Sequence, residues 1–411
     1  MRKIAFVVQR YGVEVNGGAE YYCRLLAEKL ADTYNVDVLT SCALEYVTWA
    51  NWYPAETTSI NGVQVHRFPT QYERQVKESS RVEHKLKKWS RPEEWQGLGF
   101  LKMWARALVG KTVRRYGRLW ARYQGPYTPE LITYLKHNHQ QYDALIFITY
   151  LYYPTTAGLN VAPHKSIFIP TAHDELPIYL PLFDPVFQKP RAILFLTPAE
   201  QSFVHQKFKN DAIYNDVIGV GIEPASAGSG EAMTTILDSH TTYVLYIGRI
   251  DVAKGCDMLF DLFFRYKEAN PSTLKLVLVG QAFMPVPEHP DLLSAGFVDE
   301  PTKAALLAGA KALIMPSPYE SLSMVTLESF AAGIPVIANA DCAVLSDHIV
   351  GSQAGILYRN YPDFEGAINQ ILMQDVSEMA SNARAYIQQY YTWPTVLTKF
   401  NKAVAYVSEK N

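Results

Sequence analysis

The sequence predicts an α/β protein of two doubly wound domains, each a parallel sheet covered by helices on both faces. Three observations carry that prediction. At 411 residues the chain is longer than one hydrophobic core usually organises. Short, continuous apolar runs recur in two series between helical patterns, and strands buried on both faces read this way. Between the series lies "GVGIEPASAGSGEAMTT", residues 219–235, with the Gly, Ser, Ala and Pro content of a connecting segment. The expected organisation is a first domain over 1–218, a linker over 219–240, a second domain over 241–395 and a helical tail over 396–411.

Composition bounds the class. Hydrophobic residues make up 48% and charged residues 19%, which fits a globular chain rather than a disordered or fibrous one. The net charge of −2 selects no partner by itself. Cys23, Cys42, Cys256 and Cys342 contain no C-x-x-C pair, so neither a disulfide framework nor a zinc site is indicated. A reducing compartment suits such a set. The apolar run after Arg2 and Lys3 is too short for a signal sequence, and no 18-residue apolar span occurs. The expectation is a cytoplasmic protein whose only membrane contact is peripheral, at the inner face.

The first series of strands is "KIAFVVQ", "VDVLT", "VQVHRFP", "ALIFIT", "SIFIP" and "AILFLT". After the first of them come Gly17 and Gly18, then a helix that carries Leu25, Leu26 and Leu30 on its buried face. Glycines at a helix start allow close backbone approach to a phosphate or sugar, although a helix cap is their commoner use. They do not form G-x-G-x-x-G, so a nicotinamide cofactor is not indicated. His173 and Asp174 directly follow the strand "SIFIP", at the end where ligands of such sheets bind.

Residues 74–122 depart from this pattern. Fourteen Lys and Arg stand against four Glu, a local excess of +10, with Trp89, Trp95, Trp104 and Trp120 among them. A helical insertion over about 74–125 is expected. It either packs its aromatics on the first domain or lays charge and aromatics on an anionic membrane. No nucleic-acid reading motif accompanies the charge.

The second series is "YVLYIG", "LKLVLVG", "ALIMPS", "PVIA" and "GILY". "YVLYIGRIDVAKGCDML" runs from a strand through Gly248 and Arg249 to Lys254 and Gly255, placing a guanidinium fork and an ammonium after a strand, where both suit diphosphate oxygens. In "PSPYESLSMVTLESFAAGIPVIA", Glu320 falls in a turn and Glu328 inside a helix expected from about Leu322 to Gly333. Eight helical residues span roughly 12 Å. Paired glycosidase carboxylates need about 5–9.5 Å. The spacing therefore favours two contacts on an extended ligand over a hydrolytic pair. Free N–H groups of Ser321, Leu322 and Ser323 would suit an anionic or polyhydroxyl ligand between them.

These two motifs, G-R-x4-K-G at Gly248–Gly255 and E-x7-E at Glu320–Glu328, carry a resemblance to the family 4 retaining glycosyltransferases of GT-B fold, of bacterial type. It is strong over 240–340 and looser before 220. The resemblance implies two Rossmann-like domains facing across a cleft, with His173, Arg249, Lys254 and Glu320 as the catalytic set. Arg249 and Lys254 would clamp the donor diphosphate, Glu320 would contact the donor sugar and His173 would position it. Glu328 would take the ribose hydroxyls, and Gly17, Gly18, Gly248, Ser321, Leu322 and Ser323 would complete donor binding. It further implies a nucleoside-diphosphate sugar as co-substrate, no cofactor and no metal. The acceptor would be a hydroxyl of a glycan, a lipid-linked molecule or a small molecule, in cell-surface polysaccharide or glycoconjugate synthesis. Family members often carry Gly-Phe-Gly after the first glutamate, and this chain has Ser321, Leu322 and Ser323, so donor-sugar preference does not carry over. Two other readings stay open: a non-catalytic protein that binds anionic surfaces or nucleic acid, and a GT-B epimerase or phosphorylase.

Overall fold

The computed structural model describes residues 1–15, 17–89, 101–223, 237–238 and 240–409, with side chains described except at 88, 89 and 101–111. It divides into two compact units. The first comprises Met1–Leu196, Glu200–Ile218 and Leu397–Asn411, and the second Thr197–Ala199 and Gly219–Val396.

The first unit is built on eight strands: β1 (Lys3–Val7), β2 (Asn35–Ser41), β3 (Thr57–Ile60), β4 (Val63–Phe68), β5 (Ala144–Ile148), β6 (Ser166–Ile169), β7 (Ala192–Phe195) and β8 (Tyr214–Val217). Their order is β3-β4-β2-β1-β5-β6-β7-β8. Ile4, Ala5, Phe6 and Val7 of β1 are fully buried, as a central strand covered on both faces requires. Only β3 runs antiparallel, joined to β4 by Asn61–Gly62. Both turn residues have positive φ, 47° and 85°, the Asn-Gly conformation that matches strand twist in a two-residue hairpin.

The insertion forms two helices, Val76–Trp89 and Leu101–Gln124, packed on each other. Trp120 is 1% exposed and meets Phe183 edge-on at 5.8 Å, and Tyr116, Leu119 and Tyr123 pack on the same core. Every described Lys and Arg of the two helices is exposed. At the described positions Trp120, Tyr116, Leu119 and Tyr123 thus face the core while the cations face solvent, because burying a large ring in the first unit outweighs leaving it at the surface. Trp95 lies outside the described residues, as do the side chains of Trp89 and Trp104.

The second unit holds six strands, all parallel: β9 (Tyr243–Ile247), β10 (Lys275–Val279), β11 (Leu292–Gly296), β12 (Leu313–Met315), β13 (Val336–Asn339) and β14 (Gly355–Tyr358). The order is β11-β10-β9-β12-β13-β14. The chain lays β10 and β11 to one side of β9, then returns to place β12 on its other side. The carboxyl ends of β9 and β12 therefore form the switch point at which open α/β sheets bind ligands. In the first unit the equivalent point lies between β1 and β5.

Of the segment expected as linker, Val220 and Ile222 are buried, and the Ile222 N–H donates to the Tyr391 carbonyl at 2.8 Å. A Cβ on Gly221 would stand 2.3 Å from the Trp393 ring. Residues 224–236 and 239 lie outside the described residues. The terminal helix runs Trp393–Ser408, starting three residues before the expected 396, and from Leu397 it belongs to the first unit. There Phe400 stacks on Phe6 at 6.1 Å, Tyr406 stacks on Tyr214 at 4.4 Å, and Lys399 donates to the Val217 carbonyl at 2.6 Å.

Candidate functional site

The switch point of the second unit brings both sequence motifs together. After β9 the chain passes Gly248 and Arg249 into a short turn, Val252–Lys254, capped by Asp251, whose carboxylate accepts from the Lys254 N–H at 2.8 Å. Gly255 follows with φ +73°, and a Cβ there would stand 2.6 Å from the Pro316 carbonyl oxygen beyond β12. A glycine is therefore required both by conformation and by contact. This close approach lays the two loops against each other, and the Lys254 ammonium reaches the Glu320 carboxylate at 2.7 Å. Arg249, 43% exposed, stands 3.6 Å from Asp251. The Tyr246 hydroxyl donates to the Arg249 carbonyl at 2.6 Å and fixes the backbone from below. Gly248 and Gly280 meet across β9 and β10: a Cβ on Gly280 would lie 1.9 Å from the Gly248 carbonyl oxygen. The loops after β9 and β10 open on a cavity of about 250 Å³, lined among others by Gly248, Arg249, Phe283, Phe297 and Lys303.

The two glutamates stand with different cations. Glu328 lies in the helix Met324–Ala332 and pairs with Lys303 at 3.1 Å, while Lys303 also meets Glu300 at 2.7 Å. Burial opposes a charged Lys303, but Glu328 and Glu300 outweigh it and raise its pKa. Burial pushes the Glu328 carboxyl above its ordinary value against the pull of Lys303. The helix begins at Met324, not near Leu322, because Ser323 at its N-cap takes the left-handed conformation, φ 58°. Glu320, Ser321 and Leu322 are left in irregular chain, where Leu322 is buried and its carbonyl lies 2.8 Å from His348 Nε2.

In the first unit, Gly17 precedes the helix Gly18–Leu30 with φ 150°. A Cβ there would stand 2.4 Å from Glu20 Oε2 and 2.9 Å from Arg10 Nη2, so this glycine clears a buried ion pair; Gly18 has open space. Arg10 meets Glu20 at 2.6 Å with both side chains nearly inaccessible. His173 Nε2 lies 3.3 Å from Glu175 Oε2, and the other Glu175 oxygen accepts from the Tyr150 hydroxyl at 2.6 Å. Burial would raise the Glu175 carboxyl, but His173 and Tyr150 hold it below its ordinary value. Asp174 accepts from the Tyr179 hydroxyl at 2.5 Å. The preceding loop is tied down by Glu200, whose carboxylate accepts from the N–H groups of Ala172 at 2.5 Å and Leu196 at 2.7 Å. Burial pushes that carboxyl up to about 8.

The second unit thus brings together Gly248, Arg249, Lys254, Glu320 and, one residue after another, Ser321, Leu322 and Ser323; Glu328 lies one helix turn further. Gly17, Gly18 and His173 belong to the first unit. Sequence reading misses Asp251, Glu175, Glu200, Lys303 and His348. Asp251 carried a usable signal, since Asp is a favoured cap. The other four are common residue types with no local pattern. Among the described residues no group of three or more His, Cys, Asp and Glu is arranged to hold a metal, and no helix is long and apolar enough to cross a membrane.

Residues 241–374 match the family model described as "Glycosyl transferases group 1". A D-inositol 3-phosphate glycosyltransferase of Gordonia bronchialis is 26% identical over 243 residues, covering 52% of this chain and 53% of that protein. A glycogen synthase of Mycobacterium tuberculosis is 28% identical over 169 residues, covering 38% of this chain and 40% of its own. The chain therefore spans about half or less of the length of these curated relatives. Among solved structures, sucrose-phosphate synthase from Thermosynechococcus elongatus superposes with TM-score 0.70 at 16% identity, over 100% of both chains. Anabaena HepE, in complex with UDP and glucose, superposes with TM-score 0.66 at 15% identity, over 98% of this chain and 100% of its own. The fold is that of the GT-B glycosyltransferases, and within the second unit residues 241–374 are similar to the group 1 family.

Proposed function

We propose that the chain is a glycosyltransferase that moves a sugar from a nucleoside-diphosphate sugar to an acceptor hydroxyl, with retention at the anomeric carbon and without a divalent metal. The observation that carries this reading is the approach of the two motif loops at the β9/β12 switch point, with Lys254 and Glu320 2.7 Å apart. As the bond to the diphosphate breaks, negative charge grows on the leaving oxygens. Arg249 and Lys254 then stabilise the transition state more than the bound donor. Glu320 holds the Lys254 ammonium in place before the donor arrives and contacts the donor sugar. Glu328 takes the ribose hydroxyls, and the N–H groups of Ser321, Leu322 and Ser323, with Gly248, Gly17 and Gly18, complete donor binding. His173, held by Glu175, positions the donor sugar. The departing phosphate takes the acceptor proton on the face from which it left.

The acceptor in this reading is a hydroxyl of a glycan or a lipid-linked molecule, in surface polysaccharide or glycoconjugate synthesis. The exposed cations of Val76–Trp89 and Leu101–Gln124 favour peripheral contact with an anionic membrane at the cytoplasmic face. UDP-, GDP- and ADP-sugars are screened first by thermal shift, since a specific ligand stabilises by mass action. With the donor found, Arg249→Ala and Lys254→Ala each lower kcat by one to two decades, the equivalent of a charge-assisted contact of about 1.5–3 kcal/mol. Unchanged kcat in both variants removes the clamp. Inversion in the first-formed product by NMR, or loss of activity with chelator, overturns retention and metal independence respectively.

A further inference from the structure

We propose that His348 is a positioning residue: by holding the Leu322 carbonyl it sets the plane of the Leu322–Ser323 peptide and so presents the Ser323 N–H to an anionic oxygen of the ligand. This rests on the reading that the loop after β12 contacts a nucleoside diphosphate.

The loop needs an external hold. Glu320–Ser323 has no regular structure, and Ser323 sits at φ 58°, ψ 67°, a conformation a residue with a Cβ keeps only when its surroundings impose it. His348, from the helix Ala343–Ser352, is 1% exposed. Its Nε2 lies 2.8 Å from the Leu322 carbonyl oxygen and its Nδ1 lies 3.2 Å from the Tyr386 hydroxyl. A carbonyl only accepts, so Nε2 carries the hydrogen. In the neutral ring Nδ1 then accepts, and Tyr386 donates. Burial pushes this imidazole down to about 4, so the neutral ring is the form present near pH 7. Tyr386 comes from a third element, the helix Ser377–Tyr390, so two helices lock the ring in one tautomer and one orientation.

The consequence lies on the far side of the peptide. In a trans peptide the carbonyl and the following N–H point in opposite directions. Turning the Leu322 oxygen toward His348 therefore turns the Ser323 N–H away from it. Ser323 is 6% exposed, and its N–H takes no protein acceptor among the described residues. A buried, unpaired donor of fixed direction beside Glu320 is suited to a diphosphate oxygen. The glycines common at this loop in the resembling family give way here to Ser321 and Ser323, and a fixed histidine supplies the hold.

The test compares His348→Leu, which removes the donor, with His348→Gln, whose amide nitrogen can replace Nε2. In the free protein at pH 7, amide exchange at residues 321–327 accelerates about tenfold in the Leu variant, the loss expected for one net hydrogen bond. It returns toward wild type in the Gln variant, with exchange in β9 and β10 unchanged in both. Unaltered exchange over 321–327 in the Leu variant, or no recovery in the Gln variant, overturns the proposal. Should the Leu variant not fold, ¹⁵N NMR of the wild-type imidazole decides: the neutral Nε2–H tautomer supports it and the Nδ1–H tautomer overturns it. With UDP-glucose as probe, the Leu variant loses kcat while retaining KM within a few-fold. If the wild-type protein turns over no UDP-, GDP- or ADP-sugar, the transferase reading fails, while the exchange and tautomer measurements still decide the role of His348.

Discussion

Gly255 joins the two motifs by the absence of a side chain. Gly255→Ala places a methyl 2.6 Å from the Pro316 oxygen and a Cβ at φ +73°, so the turn must shift away from β12. The expected outcome is a loss of about 1–3 kcal/mol in urea unfolding together with a lower kcat, because Lys254 moves off Glu320. Full activity with normal stability counts against that linkage. His348 gives a pH signature of its own. Its folded-state value of about 4 lies below the ordinary 6.5, so between these pH values the unfolded chain binds a proton that the folded chain refuses. Its contribution is fully present above pH 6.5 and is lost as pH falls toward 4, by about 3 kcal/mol for the 2.5-unit difference. Melting measured from pH 7 to pH 4 should fall less steeply in His348→Gln than in wild type. At this scale the sequence shows which residue types gather in each motif but not which side chains pair. Lys254 meets Glu320 across 66 positions and Lys303 meets Glu328 across 25, and such partners are chosen by sheet order, not by local spacing.

Elements with continuous apolar runs are legible, and those without are not. The eleven runs read from the sequence all correspond to strands, whereas β3, β8 and β11 escape notice. Each of these is a sheet edge. An edge strand pairs on one side only and carries polar or half-buried residues, as in "TTSI", "YNDV" and "LLSAG", so its hydrophobic signal fades. The paired helices of the insertion are legible as helices by charge and periodicity, but the direction of their aromatics is not, since one amphipathic pattern suits both a core and a membrane. With Trp120 buried in the first unit, membrane attachment through the described part of this element has to be electrostatic. Liposome co-sedimentation is expected to require anionic lipid and to weaken as salt shortens the Debye length, from about 10 Å at 0.1 M to about 3 Å at 1 M. Equal failure on neutral and anionic vesicles at low salt leaves the helices as a packing insertion.

For the whole molecule, the two-series pattern is readable in advance, but the destination of the helix Trp393–Ser408 is not, because an amphipathic helix can close any exposed apolar face. It closes the first unit, where Phe400, Val404 and Val407 are almost fully buried. Burying each is worth about 1.5–3 kcal/mol. A chain ending at residue 396 is expected to unfold in its first unit at lower denaturant, while the second unit, followed by amide exchange in β9 and β10, keeps its protection; equal stability of both units removes the closing role. The same connection imposes a timetable on synthesis. Translation delivers β1 long before residue 400, yet the aromatic partner of Phe6 is Phe400, so the first unit stays open while the second is being made. Until residues 397–408 leave the ribosome, the nascent chain carries the uncovered faces of Phe6 and Tyr214, the surfaces a chaperone would have to shield.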